Sequence, residues 1–373
     1  MIGSTPRTRP LWPRTHSLSE DKSALLHAIR WMAGLVVLLG HTQMYARQRT
    51  EHDAFPFAYI GDHAHAAVVV FFVLSGFVIA WCVDRDIELS WKKYYVDRFT
   101  RIYSVLPLAL VFTMMVDVSG GMFSAAYRDS HLIPQDHFLL RLAVNLFSVQ
   151  GFQGYRVQFG SNPALWSIGY EFFYYVVFGL LFFRKIIFGA RAFLAPLVAI
   201  LLFVLAGQKI SLYFLIWLLG AGAYRLQSRM SIPQAYFWPA LLLVFASNHW
   251  IVYRQALSGE FLNDLVLALS LALLLVCTPP SIPCKKMHRT WADFSYTLYA
   301  LHMPVLFFLY FVIYVPGLSV PIFSLLNIVC ALLISWAMSH VAENKRYYMR
   351  AWINRFPEIQ SSATTVGHST SPQ

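Results

Sequence analysis

Two ionisable residues, Arg30 and His41, interrupt the first long apolar stretch of the chain, which covers residues 24–45. The stretch is long enough to cross a bilayer as a helix. Eleven residues of helix rotate through about 1100° and rise about 16 Å, so the two side chains share one face about three turns apart. A charge in the membrane costs at least about 2.5–3.5 kcal/mol, and such residues usually face a protein interior. Since an imidazole takes up a proton near neutral pH, the pattern indicates proton transfer at His41.

The alternative is that each side chain extends along the helix to the nearer membrane surface. Arg30 would then lie at one interface and His41 at the other. Neither residue would need a function in that case.

Further polar positions lie within later apolar segments. Glu171 lies in the outer half of its predicted helix, as His41 does, and a buried Glu needs a partner, so we expect the two to pair. His302 lies near the middle of another predicted helix, where a hydrogen-bonded structural role is the alternative to a functional one. Ser75 precedes Gly76 in an otherwise bulky segment, and small residues of this kind allow helices to approach closely.

Arg98 and Arg101 lie one helical turn apart at the cytoplasmic end of a predicted span. Two guanidinium groups at this spacing form a fork that suits a phosphorylated ligand from the cytoplasm. The alternative is an ordinary anchor of positive charge at the membrane surface. The spacing alone favours neither interpretation.

The composition is that of an integral membrane protein. Of the 373 residues, 58% are hydrophobic and only 13% are charged, which excludes a soluble globular protein. The formal net charge of +11 comes from Lys and Arg residues in small groups between apolar runs, which is typical of the topology signals of membrane proteins. No nucleic-acid-binding motif accompanies that charge, so we expect no nucleic-acid partner.

The apolar runs predict an all-α, polytopic protein with about ten transmembrane helices. They cover residues 24–45, 64–83, 99–118, 164–184, 192–207, 210–226, 235–253, 261–278, 294–314 and 319–341. With the N-terminus in the cytoplasm, 21 of the 29 Lys and Arg residues fall on the cytoplasmic side, 7 fall outside and Arg30 lies in the membrane. Since cytoplasmic loops carry the excess of positive charge, both termini are predicted to be cytoplasmic.

The sequence divides into one membrane domain and two tails. Residues 1–23 form a basic cytoplasmic tail without the cleavage site of a signal peptide, and residues 24–345 form the membrane domain. Residues 346–373 are predicted to be a cytoplasmic and largely disordered tail. The longest outside segment covers about residues 119–163 and contains an amphipathic run at 139–147. The four cysteines lack the spacing of a zinc site, so we expect no bound metal.

Five motifs, in their order along the chain, resemble those of the acyltransferase 3 family of integral membrane O-acyltransferases. They are Arg30 with His41, Phe71–Phe77, Arg98–Ile102, Leu165–Glu171 and Ser295–His302. The similarity covers about residues 24–345. The chain also differs from the common family pattern, since Asp97 replaces a basic residue and the next proline comes only at Pro107. His63 and His65 stand where small Gly and Val residues are common.

The resemblance implies transfer of an acyl group, often acetyl from acetyl-CoA, to a hydroxyl group of a carbohydrate such as a surface or exported polysaccharide. It implies acyl-CoA as a substrate, no bound cofactor, and a location in the cell membrane. No second acyl-transferring domain follows the membrane domain, so we expect the protein to act alone or with a separate partner enzyme. A small-molecule glycoside such as a macrolide sugar is an alternative acceptor.

The residues supply a mechanism for the transfer that the resemblance implies. Arg98 and Arg101 would hold the CoA phosphates at the cytoplasmic mouth, with the pantetheine arm along the face of Arg30. His41 would act as general base on the acceptor hydroxyl, or carry the acyl group as an intermediate, and Glu171 would orient the imidazole. The other residues expected to line the pocket are Ser75, Trp166 and His302.

A transporter or flippase of a glycan or lipid is the main alternative from another class. Charged residues inside spans are equally typical of transporters. However, no inverted repeat is evident between the two halves of the sequence, and the charged residues cluster in motifs at helix starts. These two observations favour an enzyme.

Overall fold

Apolar runs form helices throughout the chain, because a helix satisfies its own backbone hydrogen bonds within a bilayer. The computed structural model describes residues 17–54, 58–86, 90–254 and 260–355. Among these residues there are helices and two isolated bridges but no strand. The α-helices are α1 (Glu20–Thr50), α2 (Ala58–Gly61), α3 (Ala64–Arg85), α4 (Trp91–Tyr103), α5 (Leu106–Phe123), α6 (Ala125–Arg128), α7 (Phe138–Leu146), α8 (Trp166–Phe182), α9 (Arg184–Phe188), α10 (Leu194–Ala206), α11 (Gln208–Gln227), α12 (Phe237–Arg254), α13 (Glu260–Val276), α14 (Lys285–Asp293), α15 (Ser295–Phe308), α16 (Val320–Ser339) and α17 (Arg346–Ile353). Short 3-10 turns lie at Phe152–Gly154, Pro163–Leu165, Gly189–Arg191, Gln234–Tyr236 and Glu343–Lys345, and a π-helical turn lies at Leu309–Ile313.

Six helical segments in the described part of the chain are long and apolar enough to span a membrane. They are Glu20–Thr50, Ala64–Arg85, Trp91–Phe123, Pro163–Phe182, Ser295–Ile313 and Val320–Ser339. Residues Arg184–Arg191 and Leu194–Ala206 form a pair bent by 114°, which is a seventh candidate if it counts as one span. The all-α, polytopic membrane fold is therefore confirmed. Each predicted span overlaps one long α-helix except the third, which overlaps two, while the count of ten spans and the cytoplasmic termini stay predictions.

Helix α1 is a single helix of 31 residues that carries both Arg30 and His41. It begins after Ser19, whose side chain accepts a hydrogen bond from the Lys22 backbone N–H at 3.1 Å. It ends at Glu51, which adopts a left-handed conformation with φ of 61°. A helix of this length spans about 46 Å. Arg30 and His41 therefore lie on one continuous helix at the predicted spacing.

Helices α3 and α11 cross in close contact because each places a glycine at the crossing. A Cβ atom on Gly76 would lie 1.9 Å from the Trp217 carbonyl oxygen, and one on Gly220 would lie 1.9 Å from the Val73 carbonyl oxygen. The small residues of the second span thus serve helix packing, as predicted. The close approach also lets the Trp217 indole N–H donate to Ser75 Oγ at 3.1 Å.

The predicted third span consists of two helices, α4 and α5. The break comes before Pro107, which lies in the first turn of α5, where a proline needs no hydrogen-bond donor. Two tyrosine hydroxyl groups fix α4 against α8, since Tyr94 donates to the Tyr175 carbonyl oxygen and Tyr95 donates to the Val176 carbonyl oxygen, each at 3.0 Å. These bonds position the two arginines that follow along α4.

Both predicted tails contribute residues to the helical bundle, while the domain boundaries stay predictions. Lys22 is only 1% exposed within α1, and its Nζ donates to the carbonyl oxygens of Leu275 and Cys277 at 2.7 Å each. It thereby satisfies carbonyl groups at the C-terminal end of α13. The C-terminal tail, which the sequence predicts to be largely disordered, begins with helix α17. Residues 1–16 and 356–373 lie outside the described residues.

The segment between α5 and α8, which is predicted to lie outside, contains the amphipathic helix that the sequence predicts. This helix, α7, exposes Leu139 and Leu140 on one face and buries Asn145 on the other. Exposed leucines beside a membrane domain are typical of a helix that lies at the membrane surface. The buried face of α7 borders the cavity described below.

Candidate active site

His41 and His302 form a hydrogen-bonded pair between α1 and α15. The Nδ1 atom of His41 lies 2.8 Å from the Nε2 atom of His302, and the ring centroids are 4.9 Å apart. His302 Nδ1 lies 2.8 Å from the Tyr299 carbonyl oxygen, which can only accept a hydrogen bond. In a neutral pair, His302 Nδ1 therefore carries the proton and its Nε2 accepts from His41 Nδ1. This order leaves the His41 Nε2 atom unprotonated, as a general base requires.

Glu171 does not form the expected pair with His41. Among the described residues, its hydrogen bonds are with the Ser75 hydroxyl at 3.2 Å and with the Tyr175 hydroxyl. Glu171 and His41 also line different cavities. The sequence gives the depth of a residue along its helix, whereas the rotation of α8 about its axis turns Glu171 toward α3. His302 occupies the position beside His41 instead.

His41 lines a cavity of about 790 Å³, which we call the outer cavity. A cavity of this size suits a sugar-sized or drug-sized ligand. Trp166, a predicted pocket residue, lies in its wall, and the Arg156 guanidinium lies 5.4 Å from the centroid of the Trp166 ring. The other polar side chains of the wall are His65, Asn145, Gln158, Asn162, Asn263 and Asp264.

A second cavity of about 390 Å³, the inner cavity, is lined by arginines. All three predicted donor-binding residues, Arg30, Arg98 and Arg101, lie in its wall, together with Arg346. Each of the four side chains is half-buried. Within the described part of the chain, none of them has a carboxylate oxygen within 4 Å. Four guanidinium groups without a carboxylate within 4 Å can bind an anion, although the Glu171 side chain lies in the same wall.

Aromatic rings hold two of these arginines in place. The Arg98 guanidinium lies 5.9 Å from the centroid of the Tyr175 ring, and that of Arg101 lies 5.0 Å from the centroid of the Tyr296 ring. The buried Nε atom of Arg98 has no hydrogen-bond partner among the residues that the structure describes. A cation–π contact positions a guanidinium without neutralising its charge. Both groups thus remain available to a ligand.

Arg346 is a binding candidate that the sequence analysis missed. Its Nη2 atom donates to the Asp97 carbonyl oxygen at 3.1 Å, and Arg350 Nε lies 3.0 Å from Asp97 Oδ1. Asp97, which departs from the family pattern, therefore holds α17 against α4. Burial, with the nearby charges of Arg101 and Arg98, lowers the pKa of Arg346 to about 10, so it stays charged at neutral pH. The amphipathic pattern of α17 is the signal that could have revealed it.

The two cavities meet at Val68 and Tyr299, which line both. The Tyr299 hydroxyl accepts from Ser167 Oγ at 2.6 Å and donates to the Ala164 carbonyl oxygen at 3.1 Å. These bonds fix the Tyr299 ring at the junction. Val68 and Tyr299 are therefore the residues that the walls of the two cavities share.

The arrangement places an imidazole pair at one cavity and four guanidinium groups at the other. His302, predicted as a pocket residue, is only 1% exposed and contacts His41, which lines the outer cavity. Ser75, also predicted, lies in the wall of the inner cavity. Within the described ranges, no group of three or more His, Cys, Asp or Glu side chains is placed to hold a metal ion.

Comparison with known proteins identifies the family. A family model described as an acyltransferase domain matches residues 24–340. Acyltransferase MdmB of Streptomyces mycarofaciens is 32% identical over 161 residues, which are 42% of this chain and 38% of that protein. The match thus spans less than half the length of that relative, and no solved structure matches the chain significantly. Because the family model covers most of the chain and contains all five motifs, the chain belongs to the acyltransferase 3 family of membrane proteins.

Proposed function

We propose that the protein transfers an acyl group from acyl-CoA, with acetyl-CoA as the natural donor, to a hydroxyl group of a carbohydrate. One observation carries the proposal. His41 lines the outer cavity and pairs with His302 through Nδ1, which leaves its Nε2 atom as the unprotonated nitrogen of a neutral pair, and the outer cavity shares Val68 and Tyr299 with a second cavity lined by four arginines. Membership of an acyltransferase family supports the type of chemistry. The reaction takes place in the cell membrane, with the donor entering from the cytoplasm and the acceptor from outside.

The inner cavity suits the donor. Guanidinium groups bind phosphate through two parallel hydrogen bonds, and the phosphates of CoA offer several such partners. Arg98, Arg101 and Arg346 line this cavity and would hold the phosphates. Arg30 lies further along α1, where the pantetheine arm extends toward the junction at Tyr299. The thioester then lies beside His41.

The transfer step uses His41 as a general base. Its Nε2 atom takes the proton of the acceptor hydroxyl while the acceptor oxygen attacks the thioester carbonyl carbon. The carbon–sulfur bond breaks, and His41 returns the proton to the departing sulfur, so that the products are the acyl ester and free CoA. His302 accepts a hydrogen bond from His41 Nδ1 throughout and stabilises the imidazolium form.

A covalent route is the variant of this step. His41 Nε2 would attack the thioester carbonyl carbon, and the carbon–sulfur bond would break with release of the CoA thiolate. The acceptor oxygen would then take the acyl group from His41, and its proton would pass to the released thiolate, so that the products are again the acyl ester and free CoA. Radiolabelled acetyl groups would then stay on the protein when acceptor is withheld. The same label would be missing from the His41→Gln protein.

The test uses the full chain in lipid nanodiscs with radiolabelled acetyl-CoA and methyl glycosides of common hexoses. His41→Gln keeps hydrogen-bonding capacity but cannot take up a proton. Loss of a general base lowers the rate by about 10²–10⁴, so we expect transfer to fall by that factor while CoA binding persists. His131→Gln, at an exposed position, is the matched control and should transfer at the wild-type rate.

Two results would overturn the proposal. Near-normal transfer by His41→Gln would show that His41 is not the general base. A second preparation contains the protein in sealed lipid vesicles. Movement of a glycan or lipid across the vesicle membrane without any acetylated product would favour the transporter instead, since a transporter forms no ester.

A further inference from the structure

Asp264, near the start of α13, has a free carboxylate oxygen beside the outer cavity. The side chain lines that cavity and is only 1% exposed. Its Oδ2 atom lies 2.8 Å from His65 Nε2 and also accepts from the Tyr213 hydroxyl. Its Oδ1 atom has no hydrogen-bond partner among the residues that the structure describes. Buried polar atoms nearly always have a partner, so this oxygen points to a ligand that supplies a donor.

Two amides in the same wall share this property. Asn145 Nδ2 donates to the carbonyl oxygens of Arg141 and Val157 at 2.9 and 2.8 Å, and Asn162 Nδ2 donates to that of Ala300 at 2.8 Å. Since carbonyl oxygens only accept, these bonds settle which end of each amide is nitrogen. The Oδ1 atoms of both residues are buried and lack a donor within the described chain. Both side chains are 1% exposed and line the outer cavity.

The three oxygens therefore have the same chemical requirement. Each is an acceptor only, each belongs to a side chain that lines the cavity that contains His41, and each is buried and needs a donor that the described protein does not provide. A sugar ring carries several hydroxyl donors and a flat face. Trp166 lies in the same wall, with the Arg156 guanidinium over its ring.

We propose that Asp264, Asn145 and Asn162 form an acceptor subsite that binds hydroxyl groups of the acceptor other than the one that is acylated. The inference rests on the proposed function and adds the residues that select the acceptor. It requires an acceptor with several free hydroxyl groups and excludes a simple alcohol as a good substrate. His65 is a positioning residue in this subsite, since it holds the Asp264 carboxylate.

The test compares acceptors and variants of the full chain in nanodiscs, with acetyl-CoA as donor. The probes are the methyl glycosides of glucose, galactose, mannose and rhamnose, the monodeoxy derivatives of the best of them, and cyclohexylmethanol, which has one hydroxyl. A hydrogen bond to a charged group contributes about tenfold to a hundredfold in affinity. We expect Asp264→Asn to raise the KM for the best glycoside by that factor with little change in kcat.

The matched control is Asp62→Asn, at an exposed position of the same outer face, which should keep the wild-type KM. At least one monodeoxy glycoside should be a poor acceptor for the wild-type protein. That derivative and its parent should have similar KM values with Asp264→Asn, because the lost hydroxyl and the lost carboxylate are partners. This comparison of acceptors on the wild-type protein remains informative even if the variant fails to fold.

The outcomes separate the subsite from the reaction. An unchanged glycoside KM in folded Asp264→Asn, or equal use of cyclohexylmethanol and the glycosides by the wild-type protein, would mean that only water occupies the three oxygens and would overturn the subsite. Acetylation of cyclohexylmethanol but of no glycoside would do the same while leaving acyl transfer intact. Failure to acetylate any of these alcohols would instead contradict the proposed function.

Discussion

At the scale of single residues, the orientation of His41 comes from a second imidazole. His302 accepts from His41 Nδ1 and donates to a backbone carbonyl group, so its tautomer is set by the fold. A carboxylate in that position would add a negative charge inside the bundle. Two neutral imidazoles avoid this charge, since burial disfavours unpaired charged groups.

The first prediction tests this orientation. His302→Leu cannot accept from His41, so kcat should fall about tenfold to a hundredfold with the KM for acetyl-CoA unchanged. His302→Gln retains an acceptor and should recover part of that loss, which a purely structural role would not explain.

Glu171→Gln should leave kcat nearly unchanged, because the amide still accepts from Ser75 and Tyr175. A large loss of kcat in Glu171→Gln alone would restore the carboxylate as the orienting group. Steady-state kinetics of these variants show whether His302 or Glu171 orients His41.

The second prediction concerns Glu343, which follows the last span and accepts from the Thr297 backbone N–H at 2.8 Å and the Thr297 hydroxyl at 2.7 Å. Burial raises the pKa of Glu343, although the charges of Arg101 and Arg30 oppose this effect. A raised pKa means that the folded state favours the protonated form. The wild-type protein is therefore less stable above that pKa than a variant with a neutral side chain.

Glu343→Gln should accordingly unfold at a higher temperature than wild type near pH 7, by a free energy on the order of 1 kcal/mol. The difference should disappear as the pH falls through the raised pKa and below about 4.3, the ordinary value for Glu. Thermal unfolding between pH 4 and 8 provides the measurement. If the stability difference between Glu343→Gln and the wild-type protein does not change with pH, it comes from packing and not from the charge of Glu343.

At the scale of helices, the crossing of α3 and α11 determines where Ser75 meets the inner cavity. Gly220→Ala would place a methyl group against the Val73 carbonyl oxygen, and such overpacking typically costs about 1–3 kcal/mol. Gly222 lies on the same helix with no neighbouring atom within 4 Å of an added Cβ. Gly222→Ala should therefore be neutral or stabilising through its helix propensity. Thermal unfolding of the two variants tests this, and equal melting temperatures would argue against a close crossing.

Helix α17 supplies Arg346 to the inner cavity, so a residue beyond the last span should affect donor binding. Arg346→Gln should weaken CoA binding about tenfold or more, since it removes hydrogen bonds to a charged phosphate. The ion pair between Arg350 and Asp97 is unchanged in this variant and still holds α17. Arg355→Gln, at an exposed position, is the control. Isothermal titration with CoA measures both, and equal dissociation constants would leave Arg346 with a purely structural role.

At the scale of the whole molecule, the direction of the chain across the membrane is still a prediction. A reporter fused after Gln373 should be active only in the cytoplasm, and one inserted near Ser130 only outside. The basis is the distribution of Lys and Arg, with 21 residues on one side and 7 on the other. Burial of Lys22 removes one charge from the exposed cytoplasmic set and leaves that asymmetry intact. A cytoplasmic signal at Ser130 would contradict the ten-span arrangement.

Much of the architecture was predictable because it depends on local properties. An apolar run must form a helix in a bilayer, so helix positions followed from hydropathy. The shared face of Arg30 and His41 followed from helical geometry within one segment. Arg98 and Arg101 lie in one cavity for the same reason, since they are one turn apart on α4.

Contacts between helices were decided only by the tertiary structure. The choice of His302 rather than Glu171 as the partner of His41 depends on how α8 and α15 are rotated about their axes, which a nearly uniform apolar surface leaves unspecified. Arg346 reaches the inner cavity from a segment that looks like a tail, and Asp264 reaches the outer cavity from a helix with no recognised motif. The sequence by itself thus determined the helices and the residues they carry, and three-dimensional packing determined which of those residues meet.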